Sequence, residues 1–533
     1  MLKNPRFSRF VAIIVAAACV TTALPSLAQQ PAEPAILVQI KSAGELLDDV
    51  QHVAGLITGP LGAMQVQGLI QQFTQGQGLK GIDQTKPAGA IITFGDFGEF
   101  QMPVFFVPVT KADDFRSLLK AFLPQESELP NGIYFYQSNE LSVYAKFSNG
   151  YCFLSLLPTT LEKLPDPTAL PKPRHDIELV VNIGRFPPEF LTALDAQMQI
   201  AVAQARAQAE AEGQEVNEAR RLGQETARQL TKLLFNETDR LAVAIDVNRQ
   251  AQKTSFIIEL TPKAGTPLAE AVGEFGKFKS QYGALIRDQD AVSVVYAYPL
   301  NEGLKRTYLQ LLDLIEKEAA KEEDLEDREV LAALLPVARK CIEAADRVDA
   351  ALRVASVDGE VAMIGVAYVP NSSDLETALL KAAENQATVA RDIAQFRGAP
   401  VHRIDIPEQE FSVFIAAPEN EFWVAIGTEH AVNLLAQEIE TGPRAGLPPM
   451  LFNINVRSFL QFAATIEDDP QQRDMMNQTL QVLGDGPANL RITCTSDGKS
   501  FTVRAEVDEA VLRAIGVLAT TAALQQQIQN QQQ

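Results

Sequence analysis

The side chains that most often do chemistry are sparse in this sequence and poorly spaced for it. Four histidines, His52, His175, His402 and His430, are scattered along the chain. Two imidazoles can face one metal ion when they lie one helical turn apart, as in HExxH, and none of the four has such a partner. Each is expected in a surface or packing role. No CxxC pair occurs, which removes the usual structural zinc site. Phosphate-binding loops need glycines that let backbone N–H groups converge on an anion, and neither GxxxxGK[ST] nor a convincing GxGxxG is present. Gly76, Gly78 and Gly81 sit between a polar helix end and a Lys/Asp loop, which reads as a plain turn.

Hydrolase chemistry lacks its usual signal too, because no GxSxG elbow occurs. Carboxylates are plentiful, and three pairs are adjacent: Asp48-Asp49, Asp113-Asp114 and Asp468-Asp469. Neighbours on a helix point about 100° apart, so such pairs do not share a substrate. Asp113-Asp114 falls at a helix start, where a carboxylate stabilises the unpaired N–H groups. No loop has the alternating Asp/Asn followed by Glu that calcium requires. The sequence therefore assigns no catalytic, cofactor-binding or metal-ligating residue, and no cofactor.

Composition bounds what remains. The chain has 533 residues, 46% hydrophobic and 21% charged, as in a folded globular protein. Acidic side chains number 67 against 46 basic ones, for a formal charge of −21. That balance repels phosphate backbones and disfavours nucleic acid and anionic membrane surfaces as partners.

Residues 1–28 read as a secretory signal. Lys3, Arg6 and Arg9 precede an apolar run from Phe10 to Val20, and Ser26-Leu27-Ala28 offers small residues to a peptidase. The run is shorter than the roughly 20 residues of a membrane span. Cleavage after Ala28 is expected, with lipidation at Cys19 as the rival. The reading is an extracytoplasmic protein, periplasmic or secreted, with no transmembrane helix in the mature chain. Three cysteines then remain, Cys152, Cys341 and Cys494. An odd, sparse count argues against a disulfide framework, and small buried apolar roles are expected, though one bridge stays open.

The elements that would position any site repeat themselves. Ser142–Leu164 lies over Ser412–Leu434 without a gap, each reading as strand, polar turn, strand and helix start. Four further pairs follow in the same order: Ala35–Ile40 with Ala291–Tyr296, Val104–Val109 with Ile364–Pro370, Leu179–Phe186 with Phe452–Phe459, and Ser255–Leu260 with Ser500–Glu506. The reading is two halves, 29–285 and 286–516, followed by a polar Gln-rich tail, 517–533. Alternation as in Leu241–Val247 marks strands, and Asp358-Gly359 and Asp497-Gly498 mark tight hairpins. Ser42/Glu45, Thr159/Glu162 and Ser373/Glu376 fit capping boxes, and Thr266-Pro267 starts another helix.

The expected fold class is α+β, internally duplicated, with antiparallel sheet covered by helices on one face. Two long helical arms interrupt the symmetry, one at about 187–235 broken only by Gly213 and Gly223, the other at about 303–350 with a break near Pro336. Consecutive apolar residues in Val104–Val107 and Tyr151–Leu154 imply strands covered on both faces.

The strand–turn–strand–helix pattern around Glu421–His430, matched at Gly150–Leu156, resembles uncharacterised exported bacterial families of planctomycete and cyanobacterial type. That resemblance implies an envelope or secreted location and brings no catalytic residues. The functional expectation is a non-enzymatic structural or ligand- or protein-binding module. A carrier of lipid or another apolar ligand is the alternative, and an enzyme without a recognisable motif comes third. The partner is unassigned, either a protein or an apolar ligand.

Overall fold

The computed structural model describes residues 34–519, apart from 96–97, 140, 165, 212–232, 234, 320–324, 358–359, 443–447 and 468. The signal segment, Cys19, Gly213, Gly223, Asp468, the Asp358-Gly359 turn and all but the first residues of the Gln-rich tail lie outside them. The chain divides into two units, Met1–Glu270 and Ala271–Gln533.

In the first unit, β1 (Ile36–Ile40) leads into a helical hairpin, α1 (Ala43–Thr58) and α2 (Pro60–Phe73). Then come β2 (Ala88–Ile92), β3 (Val104–Pro108), α3 (Ala112–Phe122) and a run of hairpin strands, β4 (Gln125–Leu129), β5 (Ile133–Gln137), β6 (Ser142–Ser148) and β7 (Tyr151–Ser155). β8 (Ile177–Val181), α4 (Pro188–Ala211), β9 (Thr238–Asn248) and β10 (Lys253–Pro262) follow, and α5 (Pro267–Lys277) spans the division between the units. Every pairing is antiparallel, and the strands lie in the order β10-β9-β8-β1-β2-β3-β7-β6-β5-β4.

The second unit repeats this order strand for strand. Its strands are β11 (Val292–Pro299), β12 (Arg347–Val357), β13 (Glu360–Tyr368), β14 (Thr388–Phe396), β15 (Ala399–Asp405), β16 (Ser412–Ala416), β17 (Glu421–Gly427), β18 (Met450–Asn455), β19 (Asn489–Ser496) and β20 (Phe501–Asp508). They lie as β20-β19-β18-β11-β12-β13-β17-β16-β15-β14, again all antiparallel. Each of the five paired sequence segments falls on corresponding strands, such as β6–β7 with β16–β17. The helices of this unit are α6 (Glu302–Ala319) and α7 (Leu325–Ala344) after the first strand, α8 (Ser372–Ala383) after the third, α9 (Glu429–Thr441) after the seventh, α10 (Val456–Ile466) and α11 (Pro470–Leu483) after the eighth, and a helix at 509–519 after the last. All but α9 follow strands that are also followed by an α-helix in the first unit, where the place of α9 is taken by the 3-10 turn Pro158–Leu161. The fold is α+β, as the sequence implies.

Local signals explain most element ends. Ser42 Oγ accepts from the Glu45 N–H at 3.0 Å, and Thr266 Oγ1 from the Ala269 N–H at 3.3 Å. Asp497 Oδ1 takes the N–H groups of Lys499 and Ser500 at 2.8 and 2.7 Å beside Gly498, whose φ of +84° suits glycine. Three expectations need correction. Thr159/Glu162 starts no α-helix, only the 3-10 turn Pro158–Leu161, because Pro165, Pro167, Pro171 and Pro173 soon follow. Ser373 lies inside α8, whose cap position is Asn371. Pro336 sits within α7, exposed together with Ala332, so water can take the carbonyl that the missing N–H leaves free.

Segment 271–285 falls in the second unit. There Tyr282 and Leu285 pack with Val295, Trp423 and Leu435.

Candidate functional site: an uncharged sheet face

Every strand has two faces, and in the first unit the two differ in kind. On one face Leu37, Ile91, Phe106, Phe153 and Val180 form a core closed by Leu161, Leu164 and Leu170 from the segment after β7. Farther along that face, at β8–β10, the positions are charged and mutually paired. Arg240 bridges Glu178 at 3.1 Å and Glu259 at 2.8 Å, and Arg174 reaches both carboxylates.

On the opposite face of the same strands, the three rows that the register sets carry no charge; the exposed Asp239, near the start of β9, lies beyond them. Register places Phe105, Ala90, Val38, Leu179, Val243 and Ile258 in one row across β3-β2-β1-β8-β9-β10. A second row runs Ile92, Ile36, Val181, Leu241, Leu260, and a third Ala88, Ile40, Ile177, Ile245, Phe256. α3 covers this face only at its far end, where Phe115 and Leu118 pack on Cys152, Tyr136 and Ala145. Over β8–β10 the rows are open: Val243 is 40% exposed, Phe256 48% and Ile258 46%. Phe105, expected to be covered on both sides, is 42% exposed, whereas Tyr151, Cys152 and Phe153 are buried as expected. A solvent face normally carries polar side chains at alternate positions, so contiguous open apolar rows mark a contact surface.

The ends of the rows differ chemically. Past Ile92 and Val181 the chain reaches four phenylalanines, Phe94, Phe100, Phe186 and Phe190, with all six ring pairs between 4.6 and 6.0 Å. They tie the loop after β2 to the start of α4. Past Ile40, Ile177 and Ile245 lies an ionic rim. His175 Nδ1 is 2.9 Å from Asp246, which also accepts the Asp176 N–H at 3.2 Å, and Asp176 accepts the Val247 N–H at 2.7 Å. Arg249 pairs with Asp49 at 3.2 Å and Asp48 at 3.6 Å. Burial, and then the charge of Asp176, push the Asp49 carboxyl above its ordinary range. The surface is therefore amphipathic along the strands, aromatic at one end and charged at the other.

The second unit has the same rows. Val424, Gly365, Leu352, Val294, Phe452, Ile492 and Ala505 align across its sheet, flanked by a row through Tyr296 and Met450 and another through Val292 and Ile454. These side chains are mostly half-buried, with Tyr296 the most open at 38%. Its other face is covered by α9 through Leu434, Leu435 and Ile439.

The other residues singled out by sequence fall apart in space or serve the fold. His402 is buried, accepts the Asp392 N–H at Nδ1 (3.2 Å) and lies 3.6 Å from Glu376. Burial lowers its pKa and raises that of Glu376, so the neutral forms of both are favoured. His430 lies in the first turn of α9 and His52 on α1. Asp113 and Asp114 are in the first turn of α3, and Asp469 caps α11 through the Gln471 N–H. Gly76 and Gly78 form the turn after α2, with Thr74 Oγ1 accepting from the Gly78 N–H. Cys152, Cys341 and Cys494 are free thiols. Among the described residues no group of three or more His, Cys, Asp or Glu is arranged to hold a metal, and no helix is long and apolar enough to cross a membrane.

No family model matches the chain, and no curated protein does. A search of solved structures finds one described as crystal form I of TP0453, 12% identical, covering 48% of this chain and 99% of that one with a TM-score of 0.19.

Proposed function

We propose that this chain is a non-enzymatic binding protein of the extracytoplasmic space, holding an acyl-chain lipid or a similar apolar ligand against the uncharged sheet face of its first unit. The observation that carries this reading is the contrast between the two faces of β8, β9 and β10. One carries Glu178, Arg240 and Glu259 in closed ion pairs, while the other exposes Val243, Phe256 and Ile258. Leaving the apolar side open costs roughly 25 cal/mol for each Å² of apolar surface wetted, which a bound apolar molecule recovers. The ionic rim at Asp49, Asp176, His175 and Arg249 gives a polar headgroup somewhere to lie while its chain runs along the rows. The signal-like residues 1–28 support placing this binding outside the cytoplasm.

Native mass spectrometry of protein purified from an exporting bacterium, before and after solvent extraction, tests the reading. Extra mass that extraction removes, identified as an acyl lipid and regained on adding it back, is the expected result. A clean protein mass, with no uptake of fatty acid supplied in excess, would overturn it.

A further inference from the structure

A second apolar surface lies elsewhere in the first unit, on the helical hairpin α1–α2. From Val53 to Leu79 no residue carries a charge, in a chain whose formal charge is −21. The segment includes the end of α1, the turn at Gly59 (φ +72°) and all of α2. At the tip the two helices pack closely: a Cβ on Gly62 would lie 1.9 Å from Thr58 Oγ1 and 2.4 Å from the Ala54 carbonyl oxygen. The outer side of α2 presents Leu61 and Met64, each 67% exposed, and Leu69 at 50%, interleaved with the neutral Gln65 and Gln72.

The second unit shows what a solvated hairpin looks like in this fold. α6–α7 occupies the corresponding place and is laced with charge, Arg339 bridging Asp313 at 2.7 Å and Glu316 at 3.3 Å. Two hairpins in equivalent positions thus differ in charge: only one has been cleared of ionisable groups around its open apolar side chains.

We infer that the tip of the α1–α2 hairpin inserts into the interfacial layer of a neutral phospholipid surface. Depth favours this occupant. The last ionisable side chain on α1 is His52, seven residues before Gly59, which at 1.5 Å per residue leaves an uncharged tip about 10 Å deep. Interfacial helices bury their apolar face about 5–10 Å into the headgroup boundary. A second copy of the chain fits less well, because Leu61 and Met64 at the tip, with Leu69 farther along α2, fall short of the roughly 800 Å² per partner that a stable interface buries. The hairpin has no Lys or Arg to seek anionic lipid, so its binding rests on apolar burial alone and is insensitive to salt. This inference does not rest on the sheet-face reading, since the residues involved are different.

Flotation of the full chain with phosphatidylcholine vesicles, at 50 mM and 500 mM salt (about 14 and 4 Å of screening length), tests it. The wild type is expected to float at both salts, Leu61→Glu/Met64→Glu to lose at least tenfold in partitioning, and Leu311→Glu on α6 to float like the wild type. Both substituted tip residues are solvent-facing, and circular dichroism of the double variant confirms that it is folded. A wild type that stays at the bottom of the gradient overturns the inference. So does equal flotation of the tip variant, or a concentration-dependent dimer that the same substitutions abolish in place of vesicle binding.

Discussion

Arg353 on β12 donates to Glu438 on α9 at 2.7 Å, with both side chains about 98% removed from solvent. The same guanidinium lies 3.2 Å from Asp290, and Arg287 reaches Glu438 at 2.6 Å. In the first unit the position aligned with Arg353 by strand register is Ile91, paired with Leu37 where the second unit has Ser293. One sheet closes this part of its core with hydrocarbon and the other with ions. Removing one partner of a buried charge network costs about 3–5 kcal/mol, because the remaining charges stay buried and unpaired. Arg353→Ala should destabilise the second unit by that amount in urea unfolding.

The pH dependence of this cluster follows from Asp290. Burial, which outweighs the favourable charge of Arg353, pushes its carboxyl up to about 6. A folded-state value above the unfolded one means that the folded protein binds the extra proton between about pH 4 and 6, so stability is lost as pH rises through that window. At about 1.4 kcal/mol per unit the loss reaches up to about 3 kcal/mol. Asp290→Asn removes the titration, so its stability relative to wild type should rise by up to that amount between pH 4 and 7. Equal slopes for the two proteins would refute the assignment.

Glu126 works in the opposite sense. Burial alone would raise its pKa, but hydrogen bonds from Lys120, Tyr136 and Arg116 outweigh that and hold it at about 2. Tyr136, fully buried, donates to it at 2.6 Å. The stabilisation is present above pH 4.5 and lost as pH falls toward 2. Tyr136→Phe should cost about 1.5–3 kcal/mol at pH 7, the worth of a hydrogen bond to a charged group, and less at pH 3.

The three thiols should differ in reactivity. Burial pushes all of them up, and Cys152 has no exposed surface at all. In native protein a thiol reagent should modify Cys494 first, since it is the least buried, and reach Cys152 only on unfolding. Rapid native labelling of Cys152 would contradict the packing described.

Much of the sheet was legible because paired segments such as Ser142–Leu164 and Ser412–Leu434 keep length and alternation where identity has decayed. The open face was not. In β9, Leu241-Ala-Val-Ala-Ile, the alanines face the packed side, Ala242 and Ala244 being 3% exposed, while Val243 and Ile245 face the open one. Both faces are apolar, so alternation of polarity cannot say which is covered. Consecutive apolar residues in Val104–Val107 were misleading at Phe105 for the same reason. Thr159 shows the reverse error, since a sound capping pair cannot start a helix in a segment with four prolines close behind it. The Arg353 cluster joins residues that lie far apart in sequence, and no local pattern marks them.

The rows through Val243 and Ile258 are proposed to hold an apolar chain. Titrating the protein with a fluorescent fatty acid whose emission rises in apolar surroundings tests it most directly. Saturable binding is expected, weakened at least tenfold by Val243→Glu/Ile258→Glu and left unchanged by Leu61→Glu/Met64→Glu. Binding that is absent in the wild type, or undiminished in the sheet variant, would contradict it.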